Sequence, residues 1–255
     1  AQGHDGDHLG AVAPAREAWA LAESIGSPED RLKAAQVLVN QLAYTEAGAE
    51  ALALTEQLLP LAEHVGGDRL VLFLNARSQA LHRASRLAEC AEAIRRALAL
   101  LVDAGDWREA ITVGGNLALV LGNLGRYEEA HRHLVRAGHW LEQIGGVEGS
   151  MPAGHALKTG HALLGLGRIG SAIAAYRQAR RLYAAHNASD AWLVSCDHGL
   201  ASAHLLRGDA AAAAACLRPF DTGQPVFMRV RRALLQAWVA AARGADPAPA
   251  LAQAR

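Results

Sequence analysis

Twelve histidines, an adjacent Asp197-His198 and three cysteines are the residues with which this 255-residue chain could do acid–base, metal or thiol chemistry. Their spacing argues against each use. His131 and His133 stand two apart, so on a helix they leave from different sides. Asp197 and His198 are neighbours in sequence, and neighbours on a helix do not face each other. No His-Glu-x-x-His zinc pattern, G-x-S-x-G nucleophile elbow or G-x-x-x-x-G-K-[ST] phosphate loop occurs. Cys90, Cys196 and Cys216 form no C-x-x-C pair and read as reduced thiols used as small apolar side chains. No catalytic residue, metal ligand or cofactor is expected, and the chain reads as non-enzymatic.

The elements that carry these residues are helices in a repeating arrangement. The phrase Leu124-Gly125-Arg126-Tyr127-Glu128-Glu129-Ala130 returns as Leu166-Gly167-Arg168-Ile169-Gly170-Ser171-Ala172 and as Leu206-Arg207-Gly208-Asp209-Ala210-Ala211-Ala212. A weaker copy reads Ala84-Ser85-Arg86-Leu87-Ala88-Glu89-Cys90. The turn residues Ser85, Gly125, Gly167, Gly208 and Gly244 are separated by steps of 40, 42, 41 and 36. A fixed period of this size marks a stacked-repeat protein. No segment alternates apolar and polar residues with β-branched enrichment, so strands are not expected. The fold class is all-α, a superhelical solenoid of about six helix hairpins. Residues 1–10 read as a disordered lead-in, 11–245 as the repeat domain, and 246–255 as the start of a further helix or a tail. The first helix is expected over 14–25, with Pro14 in its first turn.

Composition agrees with stacked helices. The chain is 51% hydrophobic but only 5% aromatic, so its core is made of Ala and Leu contacts. Twenty-five basic residues balance 25 acidic ones, and this leaves no global basic field to hold nucleic acid. No apolar run reaches the length of a membrane span. The basic residues are nearly all Arg, with lysine only at Lys33 and Lys158, as in proteins of GC-rich bacteria. The chain reads as cytoplasmic, and its two ends read as those of a segment of a longer protein. Arg229, Arg231, Arg232 and Arg243 form a basic patch that reads as a solvated face or a contact to a neighbouring domain. Trp19, Trp107, Trp140, Trp192 and Trp238 read as packing residues.

Leu117, Ala118, Leu121, Gly125, Tyr127, Ala130, Leu134 and Ala137 resemble the small/large pattern of the tetratricopeptide repeat. Ala156, Gly160, Leu163, Gly167, Ala172, Tyr176 and Ala179 resemble it again. The period near 40 departs from the family's 34. Gly114 and Ala156 replace the early aromatic, and the closing Pro is missing. The longer repeat resembles the sensor arms of maltose-activator-like and LuxR-type transcriptional regulators. Similar arrays accompany diguanylate cyclases, nucleotide cyclases and kinases, and others stand free as assembly scaffolds. The resemblance implies a concave groove lined by the first helix of each pair. On that reading Gln36, Asn40, Asn75, Gln79, His82, Asn116, Asn123, His161 and His198 face the groove. They would meet a protein or peptide segment or a small effector, since amides supply both donors and acceptors. Partners would also include neighbouring domains of the same chain, but neither nucleic acid directly nor a membrane.

Overall fold

A helix of 17 residues followed by a three-residue turn is the unit from which this chain is built. The computed structural model describes residues 8–145, 150–217 and 226–252, and among them it has thirteen helices and no strand. These are α1 (His8–Ile25), α2 (Pro28–Leu42), α3 (Gly48–Val65), α4 (Gly67–Arg83), α5 (Leu87–Asp103), α6 (Trp107–Asn123) and α7 (Tyr127–Gln143). They continue as α8 (Ser150–Gly165), α9 (Ile169–Ala185), α10 (Asp190–Leu206), α11 (Ala210–Cys216), α12 (Val226–Ala242) and α13 (Ala248–Ala252). Helices α4, α5, α6, α7, α9, α10 and α12 each have 17 residues. Two such helices and two short turns give the period near 40.

The turns explain the regularity. A left-handed residue ends most helices: Ser85, Gly105, Gly125, Gly145, Gly167, Asn187, Gly208 and Gly244 all have positive φ. At six of them the next residue donates its N–H five residues back, as Arg86 to Leu81, Asp106 to Leu101, Arg168 to Leu163, Ala188 to Tyr183, Asp209 to His204 and Ala245 to Ala240. This is the Schellman closure, which satisfies carbonyls that the helix end would otherwise leave unpaired. Asp106 and Asp209 then cap the following helices by accepting from the N–H groups of Glu109 and Ala212.

The chain divides into two compact units, Ala1–Leu124 and Gly125–Arg255. Within each, a helix packs on those one or two places along the chain. In the first unit α2 meets α3 and α4, and α4 meets α5. In the second α8 meets α9 and α10, and α10 meets α9, α11 and α12. The architecture is an all-α solenoid of consecutive hairpins. Close approach is possible because alanines occupy the contacts: Ala35, Ala51, Ala97, Ala110, Ala130, Ala137, Ala172 and Ala179 are fully buried. Leucines such as Leu81, Leu117, Leu121 and Leu134 fill the space between them, each contributing about 1.5–3 kcal/mol by leaving water.

The ends differ from the sequence reading. Helix α1 begins at His8, so Pro14 lies inside it instead of in the first turn. Of the expected lead-in, residues 1–7 lie outside the described residues and 8–10 are helical. The expected terminal helix is the five-residue α13, and residues 253–255 lie outside the described part.

Candidate binding face

Because the turns are equivalent, counting back from each one aligns the first helices of the hairpins. The positions thirteen, six and two residues before the turn are the open ones. They are Leu72, Gln79 and Arg83 on α4, then Thr112, Leu119 and Asn123 on α6. In the second unit they are Gly154, His161 and Gly165 on α8, Ser195, Ser202 and Leu206 on α10, and Arg231, Trp238 and Ala242 on α12. All of them are exposed or half-buried. The position nine before the turn is variable: Asn116 is exposed, Lys158 half-buried, and Ala76, Gly199 and Leu235 are buried.

The expected groove residues divide between the two units. On α2, Gln36 and Asn40 are half-buried, and the Asn40 Oδ1 is covered and accepts no hydrogen bond. On α4, Asn75 is half-buried while Gln79 and His82 are exposed, all on one helical strip with Leu72. On α6, Asn116 and Asn123 are exposed and share a strip with Thr112 and Leu119. His161 on α8 is half-buried, and His198 on α10 is buried at 2% exposure.

Around those two histidines sits a cluster that sequence reasoning did not assemble. Tyr176 on α9 is fully buried, and one edge of its ring lies against two glycines of the flanking helices. A β-carbon added at Gly160 would sit 2.6 Å from the ring, and one added at Gly199 would sit 2.5 Å from it. The His161 ring meets the Tyr176 ring edge-on, with centroids 5.4 Å apart. The Tyr176 Oη and the His161 Nε2 are both covered, and neither has a hydrogen-bond partner within the protein.

Electrostatics in the cluster follow from burial and from cations. Burial first, then the charges of Arg231 and Lys158, push His161 down to about 4. Burial and the charges of Arg231 and Arg232 push His198 down to about 4. Both rings are therefore neutral at pH 7. Burial lowers Lys158 to about 8 and raises the Tyr176 phenol, which the Arg231 charge partly opposes. Asp197 points elsewhere, accepting from the Arg180 Nε at 2.7 Å.

Other candidate chemistry finds no geometry. Burial raises Cys90 to about 11 and Cys196 to about 12, so neither is a nucleophile at neutral pH. Among the described residues no three His, Cys, Asp or Glu side chains are grouped to hold a metal ion. Among them, too, no helix is long and apolar enough to cross a membrane. Of the tryptophans, Trp140 is buried as expected, but Trp238 is 45% exposed and Trp192 is 43% exposed, stacked on Tyr183. The signal for the cluster was present in sequence. Counting back from Gly167 and Gly244 would have put His161 and Trp238 on matched positions, six residues before the turn.

No protein-family model matches the sequence, nor does any curated protein. Solved structures do resemble the fold. A tetratricopeptide repeat protein from Parabacteroides merdae superposes with TM-score 0.64 at 13% identity, over 98% of this chain and 93% of that one. BtubC (BKLC) from P. vanneervenii gives 0.70 at 16% identity, over 87% of this chain and 98% of that one. A signal transduction ATPase with numerous domains from Pyrococcus horikoshii, described as having a tetratricopeptide repeat sensor, gives 0.73 at 12% identity. The match covers 96% of this chain but only 39% of the ATPase. At these identities the likeness is one of fold: the chain shares the all-α hairpin solenoid of tetratricopeptide-repeat proteins.

Proposed function

We propose that this chain is a non-enzymatic interaction or effector-sensing module of a larger bacterial signalling protein, with a transcriptional regulator as the favoured context. The observation that supports this is the run of open positions on α4 and α6. There the polar residues Asn75, Gln79 and His82 share a strip with the exposed Leu72, and Asn116 and Asn123 share one with the exposed Leu119. Amide side chains there can donate to and accept from a peptide backbone, while the leucines supply apolar contact. In the ATPase from Pyrococcus horikoshii a repeat array of this kind is described as the sensor of a multidomain protein. An array that binds a segment or effector more tightly in one arrangement than in another biases whatever domain it is joined to.

The test is capture of a partner from cells of the source organism by the intact chain and by the triple variant N75A/Q79A/H82A. Captured material is identified by mass spectrometry. The reading expects capture to fall at least tenfold in the variant, with an unchanged thermal midpoint. Undiminished capture would remove the groove from the mechanism.

A further inference from the structure

Helices α2, α3 and α4 of the first unit pack on one another. The end of α2, the start of α3 and the end of α4 meet around a half-open cleft of about 440 Å³. Small-ligand sites range over about 300–1,000 Å³. Tyr44 and Glu46 line the cleft from the α2–α3 loop, Gly48, Ala49 and Leu52 from α3, and Arg83 from the last turn of α4. Arg83 holds the open position two residues before the Ser85 turn, so the cleft ends the strip that carries Leu72 and Gln79.

The charges of this cleft depart from the habit of the unit. Elsewhere on it arginines reach acids across the helices, as in Arg16–Glu50 at 2.6 Å, Arg86–Glu56 at 3.1 Å and Arg96–Glu63 at 2.6 Å. Arg83 and Glu46 line one cleft, yet among the described residues neither forms an ion pair, with the other or with any third group. The Arg83 guanidinium lies over the Tyr44 ring instead, 4.1 Å from its centroid. Stacking of this kind fixes the plane of the fork and leaves its N–H edge for an acceptor. No side chain caps α3, so its first amides at Gly48 and Ala49 add donors to the same cleft.

We propose that this cleft binds a free α-amino acid with an apolar side chain. The ligand carboxylate accepts from the N–H edge of Arg83 and from the first amides of α3. The ligand ammonium donates to the Glu46 carboxylate, and the ligand side chain lies against Leu52. A ligand of single charge would leave Arg83 or Glu46 unanswered, and a phosphoryl dianion would be repelled by Glu46. A zwitterion answers both. The inference rests on the effector-sensing reading of the α4 strip and names the class of effector.

The experiment is an NMR titration of the intact chain with L-leucine, L-methionine and L-phenylalanine, read on the Gly48 amide and the Arg83 side-chain Nε–H. Three analogues are titrated beside them: leucinamide lacks the carboxylate, isocaproate lacks the amino group, and glycine lacks the side chain. At least one of the apolar amino acids is expected to shift both signals saturably. The three analogues should bind at least tenfold more weakly than L-leucine, the loss of one charge-assisted hydrogen bond. Arg83 and Glu46 are exposed, so R83M and E46Q should keep the thermal midpoint while weakening the amino acid at least tenfold. No saturable shift at millimolar amino acid, or isocaproate or leucinamide binding as tightly as L-leucine, would overturn the proposal. If the amino acids fail while N75A/Q79A/H82A still reduces partner capture, this inference alone falls. If capture is also undiminished, the reading beneath it falls as well.

Discussion

At the scale of single residues, the tyrosine in its notch is the least forgiving feature. A methyl group at Gly199 would enter the van der Waals space of a ring that is fully buried and has nowhere to retreat. Alanine gains about 1 kcal/mol over glycine in helix propensity, against about 1–3 kcal/mol of overpacking. G199A should therefore destabilise the chain by up to about 2 kcal/mol in urea denaturation, and the penalty should vanish in a Y176A background. A penalty that persists there would show that the ring is not the obstacle. The two histidines make a prediction of a different kind. Each takes up a proton near pH 6.5 when unfolded but resists it until about 4 when folded. Acid therefore favours the unfolded chain: stability is whole above pH 6.5 and falls as pH drops toward 4. H161Q should flatten that decline in denaturation measured from pH 7 to pH 4, and an unchanged slope would place the proton uptake elsewhere. Tyr176 was legible as a large residue of the repeat, but its neighbours were not. Gly160 was legible as a small residue of the repeat and Gly199 was not singled out, and only the crossing of α8, α9 and α10 makes them two sides of one notch. Arg231 read as a solvated charge because its relation to His161 runs through packing across some 70 residues of sequence.

At the scale of elements, the helix–turn unit was the most legible part of the chain, because its cause is local. Gly125, Gly167 and Gly208 adopt a backbone that residues with a β-carbon resist, and that preference is visible without any tertiary knowledge. The second set of turns was less visible, since Asn187 stands where a glycine would have announced it. Ser85 has the same left-handed backbone with φ of 59°. The left-handed region costs roughly 1–2 kcal/mol for a residue with a β-carbon, and glycine gives back part of this in the unfolded chain. S85G is thus expected to stabilise the chain by about 0.5–1 kcal/mol, measured by thermal unfolding. A loss of stability would mean that the Ser85 side chain contributes more than its backbone strain costs. Helix starts were harder to read than ends. Pro14 suggested a first turn, yet α1 continues toward its N-terminus from there to His8.

At the scale of the whole chain, the hairpin order was readable because, among the described residues, the helices pack chiefly on those one or two places away. Contacts so close in sequence favour rapid, stepwise formation of structure over a search among distant pairings. The period has an implication for descent as well as for stability. Removing Arg86–Gly125 takes out α5 and α6 together and joins Ser85 to Arg126, a turn residue to the arginine that begins the next hairpin's second helix. Removing only Arg86–Gly105 would set α4 against α6, two first helices whose outward strips carry the polar residues. The forty-residue deletion should fold to a shorter helical chain, and the twenty-residue one should aggregate. Copying errors in such a sequence are thus filtered by their length. Gain or loss of a whole pair is survivable, gain or loss of half a pair is not, and the number of hairpins can drift between lineages while the face they present keeps its order.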